Sequence, residues 1–369
     1  MSFKDEVYQW DKELAKHFRG LSKPQRGNIA RYGVAVLKAR DCRMSIMAEE
    51  VPELGSLDSA ERRLQRTVGN KRVDAGRCQR DWARWLLSLL EGPLYILIDE
   101  TKLGGNLSVM LAGLAYRGRC IPLLWRCYKP HAYPAEGQVG MIKDLLTTIQ
   151  EVLPAGASVP LVQVDRGIGT SPALVRVVEA LHWHYLFRVQ NSTQVRLPER
   201  GQVTIGSLVK SGQRFTAAGQ VFKGDGFVIQ TIIHVLWGQS YCEPWCLISN
   251  DPDATAEDYA VRAWQEASFH DLKSGGWQWN NSRVWKPAHA DRLILILALA
   301  YSFCLSLGTL VLLAPPAVRR RLSRGSHSKF SIFRLGLRLI KHAARSALAC
   351  PFHLLFVPLP ASLHPPPVL

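Results

Sequence analysis

Between Leu94 and Val189 the chain alternates short apolar runs with stretches of helical period, and this order restricts the fold more than any other feature. Leu94–Ile98, Leu107–Ala115 and Cys120–Trp125 read as strands, the last two separated by the turn-forming Arg117-Gly118. A helix is expected over Val139–Leu153, a strand over Val159–Val164, a helix over Ser171–Leu181 and a strand over Tyr185–Val189. Three successive strands, then helix, strand, helix, strand, predict an α/β fold: a mixed sheet with flanking helices. Asp99 leaves the first strand and Asp165 the fourth, and a sheet can set two such strand ends side by side. An Asp after an apolar strand is also a common turn or helix cap, so neither residue identifies a site alone.

The flanking regions differ in pattern. Residues 1–91 read as helices over Lys4–Phe18, Asn28–Leu37, Asp58–Thr67 and Asp74–Leu90. They form either a DNA-end-binding domain or a helical subdomain packed on the core. The core's first part is expected over 92–190 and its second over 251–315. Between them, residues 191–250 read as a β-rich insertion with strands over Gln202–Leu208, Gln213–Val221, Gly226–Val235 and Trp245–Ser249. Its Lys210, Arg214 and Lys223 face DNA phosphates or form a solubilising rim. Leu293–Ala314 carries no formal charge over 22 residues; it reads as a buried core helix, with a single membrane span as the alternative. The region 316–369 is basic and is expected to contact DNA or a second copy of the chain, with a membrane surface or a solvated helix as alternatives. Pro351–Leu369 is apolar and proline-rich, with no regular element expected.

Charge narrows the partner. Lys and Arg number 46 against 30 Asp and Glu, a formal net charge of +16, which favours a polyanion. From Arg292 to Leu369 there are ten Lys or Arg and no acidic residue. No apolar run follows a basic head at the N-terminus, so a reducing, cytoplasmic location is expected and a membrane partner is not. The eight cysteines are scattered; Cys242 and Cys246, the closest pair, lack a second pair at zinc-site spacing.

The stretch Tyr259–Lys273, YAVRAWQEASFHDLK, supplies the third acidic residue. A helix here puts Tyr259, Arg262, Glu266, His270 and Lys273 on one face and Ala260, Val261, Trp264 and Leu272 largely on the other. Either Glu266 helps hold a divalent cation while Arg262 and Lys273 meet phosphate, or the face is solvated and laced by pairs such as Arg262 with Glu266. Two-metal phosphodiester chemistry needs oxygen ligands from separate elements. Asp99, Asp165 and Glu266 meet that requirement.

Tyr259, Arg262, Glu266 and Lys273, spaced Y-x2-R-x3-E-x6-K, resemble the signature of the DDE transposases of bacterial insertion sequences named for Tyr-Arg-Glu-Lys. The resemblance extends to LYILIDETK around Asp99, VPLVQVDRGIG around Asp165 and the following HWHYLFRVQ, together spanning about residues 90–305. It implies a ribonuclease-H-like core with the strand-rich insertion between the second Asp and the Glu. It further implies a metal triad of Asp99, Asp165 and Glu266 using Mg2+, with Mn2+ as a substitute, and Tyr259, Arg262 and Lys273 positioning phosphate. The implied reaction is cleavage at terminal inverted repeats and transfer of 3' hydroxyl ends into target DNA by a synaptic homodimer. Some relatives use a hairpinned end supported by an aromatic stack, for which Trp237 is the candidate, with packing in the core as its alternative role. Some members carry a second Lys where this chain has His270, which donates to phosphate without a fixed charge. The competing readings are a nuclease without strand transfer and an idle DNA-binding derivative.

Overall fold

The computed structural model describes residues 2–322, 330–346 and 352–358. Five helices come first: α1 (Phe3–His17), α2 (Lys23–Ala39), α3 (Met44–Glu49), α4 (Leu57–Gly69) and α5 (Ala75–Ser88). Local chemistry defines their starts. Ser2 and Asp5 form a capping box on α1, Ser56 caps α4, and the Asp74 carboxylate accepts from the Arg77 amide at the start of α5. These helices do not stand apart. Trp10, Leu14, Trp82 and Leu86 belong to the same hydrophobic cluster as the sheet, and the Trp82 indole donates to the Pro122 carbonyl at 2.8 Å.

The core then runs β1 (Tyr95–Leu103), β2 (Leu107–Tyr116), β3 (Arg119–Tyr128), α6 (Gly137–Val152), β4 (Leu161–Val164), a short α7 (Arg166–Gly169), α8 (Pro172–Ala180) and β5 (His184–Arg188). The insertion supplies β6 (Gln194–Leu197), β7 (Gly201–Thr204), β8 (Arg214–Val221), β9 (Ile229–Leu236) and β10 (Trp245–Ser249). All ten strands form one sheet in the order β3-β2-β1-β4-β5-β10-β9-β8-β6-β7. β1, β4 and β5 are parallel neighbours, and every other pairing is antiparallel. The mixed sheet with flanking helices is as expected, but β6 has no counterpart in the sequence reading. Residues 205–208, expected as strand, form a 3-10 turn. The insertion is therefore no separate sheet: β10 pairs on β5 and carries the hydrogen-bonding ladder outward.

The chain returns through a 3-10 turn over Glu257–Arg262, α9 (Ala263–Leu272), α10 (Pro287–Leu313), α11 (Pro316–Leu322) and α12 (Ile332–Arg345). α10 is long and apolar enough to cross a membrane, yet 94% of its apolar window is buried inside the protein. It packs on β3, α2 and α12, as a core helix does. α12 is amphipathic: Phe333 and Leu335 are buried on α10, while Arg334, Lys341 and Arg345 are exposed. A Cβ on Gly336 would lie 1.9 Å from the Cys304 carbonyl, so only glycine permits this approach. Residues 352–358 have no regular element, as expected, but they are docked. Phe352, Leu354 and Phe356 alternate inward, with Phe352 stacked on Trp10 at 3.9 Å between ring centroids. That contact accounts for the apolarity of this stretch. The expectations for residues 323–329, 347–351 and 359–369 lie outside the described residues.

Candidate active site

β1 outruns β4, and this asymmetry builds the site. The last β1–β4 pair is Ile98 with Val164, after which β4 ends while β1 continues along β2 to Leu103. Asp99 thus lies within a strand rather than at its end, which corrects the sequence reading; its apolar run stops because only one neighbour covers the strand from there on. Asp165 does leave β4. Its Oδ1 accepts from the Gly167 and Ile168 amides at 3.0 and 3.1 Å, so it caps α7 as well as facing the site. Parallel register places the two carboxyls next to each other.

Their proximity has an electrostatic signature. Burial, and secondly the Asp165 charge, push the Asp99 carboxyl up to about 6, while the Arg262 guanidinium opposes them. Arg262 Nη2 meets Asp99 Oδ2 at 2.8 Å, and Nη1 lies 3.8 Å from Glu266 Oε1. Burial would lower the Arg262 pKa, but Asp99, Tyr259, Asp165 and Glu266 outweigh it and raise it. All three acidic residues named from the sequence thus act on one buried guanidinium. The Glu266 carboxylate is nevertheless 72% exposed.

The predicted charged face of Tyr259–Lys273 is not one continuous helical face. Residues 257–262 form a 3-10 turn and α9 starts at Ala263, so the hundred-degree spacing fails across the join. Tyr259 is buried, its hydroxyl donating to the Val164 carbonyl at 3.2 Å; burial raises its pKa. Arg262 is buried at 4% exposure and turned onto carboxylates, whereas Glu266 and His270 are exposed. The His270 ring lies over Gly275, where a Cβ would come within 2.1 Å of it. Lys273, after the end of α9, donates to Thr101 Oγ1 at 2.6 Å and to the Lys102 carbonyl at 3.0 Å. Burial lowers its pKa and Asp99 counters that. Thr101 was not singled out from the sequence, because no spacing rule links a strand threonine to a lysine 172 residues later.

The back of α9 is held as firmly. Buried Asp271 pairs with Arg119 and accepts from the Tyr301 hydroxyl at 3.2 Å, and Gln265 donates to the Leu111 carbonyl. Thr101 shares the Asp99 side of β1; Glu100 faces the other way and accepts from Tyr133.

Trp245, Trp237 and Arg214 lie toward the site's end of the sheet, whereas Lys223 follows the far end of β8. Trp245 meets the Tyr259 ring edge-on at 5.4 Å, and Arg214 pairs with Glu257 at 3.2 Å. Trp237 is half-buried, with its indole donating to the Tyr241 carbonyl at 3.0 Å. Lys210 and Lys223 are exposed, Lys210 in the turn before β8. Seven cysteines are described, all as free thiols, and Cys242 alone among them is exposed.

Residues 130–303 match a family described as transposase DDE domain. The match spans slightly less than half of the chain, likens that part to transposase DDE domains and supports a transposase-type function. It covers Asp165, Tyr259, Arg262, Glu266 and Lys273, while Asp99 lies N-terminal to it. No curated protein matches the chain.

The donor chemistry suits a hard divalent cation, since the candidate ligands are all carboxylates. A cation beside Asp99 and Asp165 would relieve the burial and repulsion that hold Asp99 near 6. Among the described residues, however, no three His, Cys, Asp or Glu are set as a ready metal-binding group. The Arg262 guanidinium stands among the carboxylates instead.

Proposed function

We propose that this chain is a cut-and-paste transposase with a ribonuclease-H-like core and the Tyr-Arg-Glu-Lys signature. It would cleave DNA at terminal inverted repeats and transfer the 3' hydroxyl ends into target DNA as a cytoplasmic, nucleoid-associated homodimer. The observation that carries the reading is that Arg262 meets Asp99 at 2.8 Å and lies 3.8 Å from Glu266, while Asp165 follows the strand residue paired beside Asp99's neighbour Ile98. Asp99 and Asp165 hold the metal, Mg2+ or Mn2+, and Glu266 completes the set by turning in from solvent. Bound metal would activate water or a 3' hydroxyl and stabilise the leaving oxygen. Arg262, when its carboxylates take up metal, becomes free to meet a phosphate oxygen; Lys273 and Tyr259 position the same group from either side. His270, Trp237, Lys210 and Arg214 extend the DNA contact along the insertion, residues 1–91 grip the repeat ends, and 316–369 contacts DNA or the second protomer.

The test is metal-dependent nicking of DNA bearing the element's own ends. Asp99→Asn, Asp165→Asn and Glu266→Gln should each lower it by roughly a hundredfold or more while the circular dichroism stays native. Normal nicking by all three would overturn the reading. A joined product on added target DNA separates transposase from nuclease, and metal-independent DNA binding without cleavage would mark an idle derivative.

A further inference from the structure

Beside the acidic centre lies a second polar cluster that the mechanism above leaves unused. Glu243, in the loop between β9 and β10, is held by donors from three other places. Arg166 Nη1 donates to both of its carboxylate oxygens at 2.8 Å, Arg188 Nη2 to Oε1 at 2.7 Å and Asn191 Nδ2 to Oε2 at 3.2 Å. Arg166 directly follows Asp165, and Arg188 ends β5. Arg188, Asp165 and Asp99 all act on the Tyr259 phenol, so the cluster borders the carboxylates.

We propose that Arg166, Arg188 and Asn191 form a phosphate-binding site which Glu243 fills in the free protein, and that a nucleic-acid phosphate displaces this internal carboxylate when DNA binds. The proposal rests on DNA as the partner. Convergent guanidinium and amide donors recognise carboxylate and phosphate oxygens by the same geometry. Arg188 is the fixed member of the cluster: its side chain is 18% exposed, against 38% for Glu243 and 45% for Arg166. Buried Arg188 Nε has no partner among the described residues, leaving donor capacity for a larger anion. Two arginines against one carboxylate leave net positive charge, which a doubly contacted phosphate fits as well as Glu243 does. The loop itself need not move. The Trp237 indole bonds to Tyr241, and Tyr241 stacks on Trp245 at 5.1 Å, so rotation of the Glu243 side chain alone opens the site. Glu243 thereby sets a threshold, admitting only an anion that outcompetes it beside Asp165.

Binding of a short fluorescein-labelled DNA duplex to the full chain tests this. Glu243→Gln should bind roughly three- to tenfold tighter than wild type at low salt, because no internal charge competes. Adding Arg188→Ala to that variant should abolish the gain and lower the salt slope by about 0.9, the loss of one phosphate contact. Glu243→Ala serves as a second variant should the glutamine form fold poorly. Unchanged or weaker binding by the folded Glu243 variants overturns the proposal while leaving the transposase reading in place. A separate readout is thermal stabilisation by inorganic pyrophosphate, expected in Glu243→Gln and absent in Arg188→Ala/Glu243→Gln. A pyrophosphate response in a protein that binds no DNA would overturn the displacement by DNA and the transposase reading together. No response in any variant would sink the anion site.

Discussion

Arg262 shows how a residue can keep its identity and change its job. By spacing it belongs to a surface pair with Glu266, but the fold buries it against Asp99 at 2.8 Å. Replacing it by Met should raise the Asp99 carboxyl further above about 6, because the guanidinium is the main group holding it down. NMR titration of the Asp99 carboxyl carbon would read this, and added Mg2+ should lower the value in wild type and variant alike. A carboxyl that ignores Mg2+ would remove Asp99 from the metal set. The same physics gives a pH dependence. Asp99 and Asp291 are both raised by burial from 3.8 to about 6, so the folded chain holds more protons than the unfolded chain across that range. The stability these two groups contribute is present below about pH 4 and is lost as pH rises through about 6. Asp291→Asn, which keeps an acceptor for the Cys127 amide, should flatten the fall by on the order of 2 kcal/mol between pH 4 and 7. Urea titrations across that range would measure it.

At the scale of elements, contacts between backbones are the least forgiving. α12 reaches α10 through Gly336 and Gly308; a Cβ on Gly308 would lie 2.0 Å from the Ile332 carbonyl. Gly336→Ala should cost about 1–3 kcal/mol by overpacking, seen as a lower denaturant midpoint with an unchanged slope. The strap at 352–358 works oppositely, filling space. Its Leu355 amide donates to Ser306 at 2.7 Å and its Val357 amide to the Tyr116 hydroxyl at 3.2 Å. Phe352→Ala should cost about 3–5 kcal/mol, since the ring lies among Trp10, Trp85 and Phe303. Most helices and core strands were legible from periodicity because burial of one face leaves that pattern. The strap was not, since a short run of inward-facing Phe and Leu has no meaning until the groove receiving it exists. The 3-10 turn before α9 was equally hidden; it depends on Tyr259 reaching the Val164 carbonyl across the fold.

Across the whole molecule, the N-terminal helices, the sheet and α10 share one hydrophobic cluster. Calorimetry should therefore show a single transition whose calorimetric and van't Hoff enthalpies agree. A separate early transition would mean that residues 1–91 unfold as an independent domain. The continuous ten-stranded sheet has the same consequence for residues 191–250, which could be read as strand-rich but not as an extension of β5. Strand pairing joins segments far apart in sequence, and periodicity carries no information about which edges meet.

The order of strands and helices, the burial of an uncharged helix over residues 293–314 and the spacing of Tyr259, Arg262, Glu266 and Lys273 were all written in the linear chain, because each depends on neighbours within a few turns. The tertiary structure alone decided that β1 would run past β4, that Arg262 would turn inward and Glu266 outward, and that Glu243 would fill a pair of arginines. Those outcomes depend on desolvation and on charges brought together from distant segments, quantities that exist only once the chain has closed on itself.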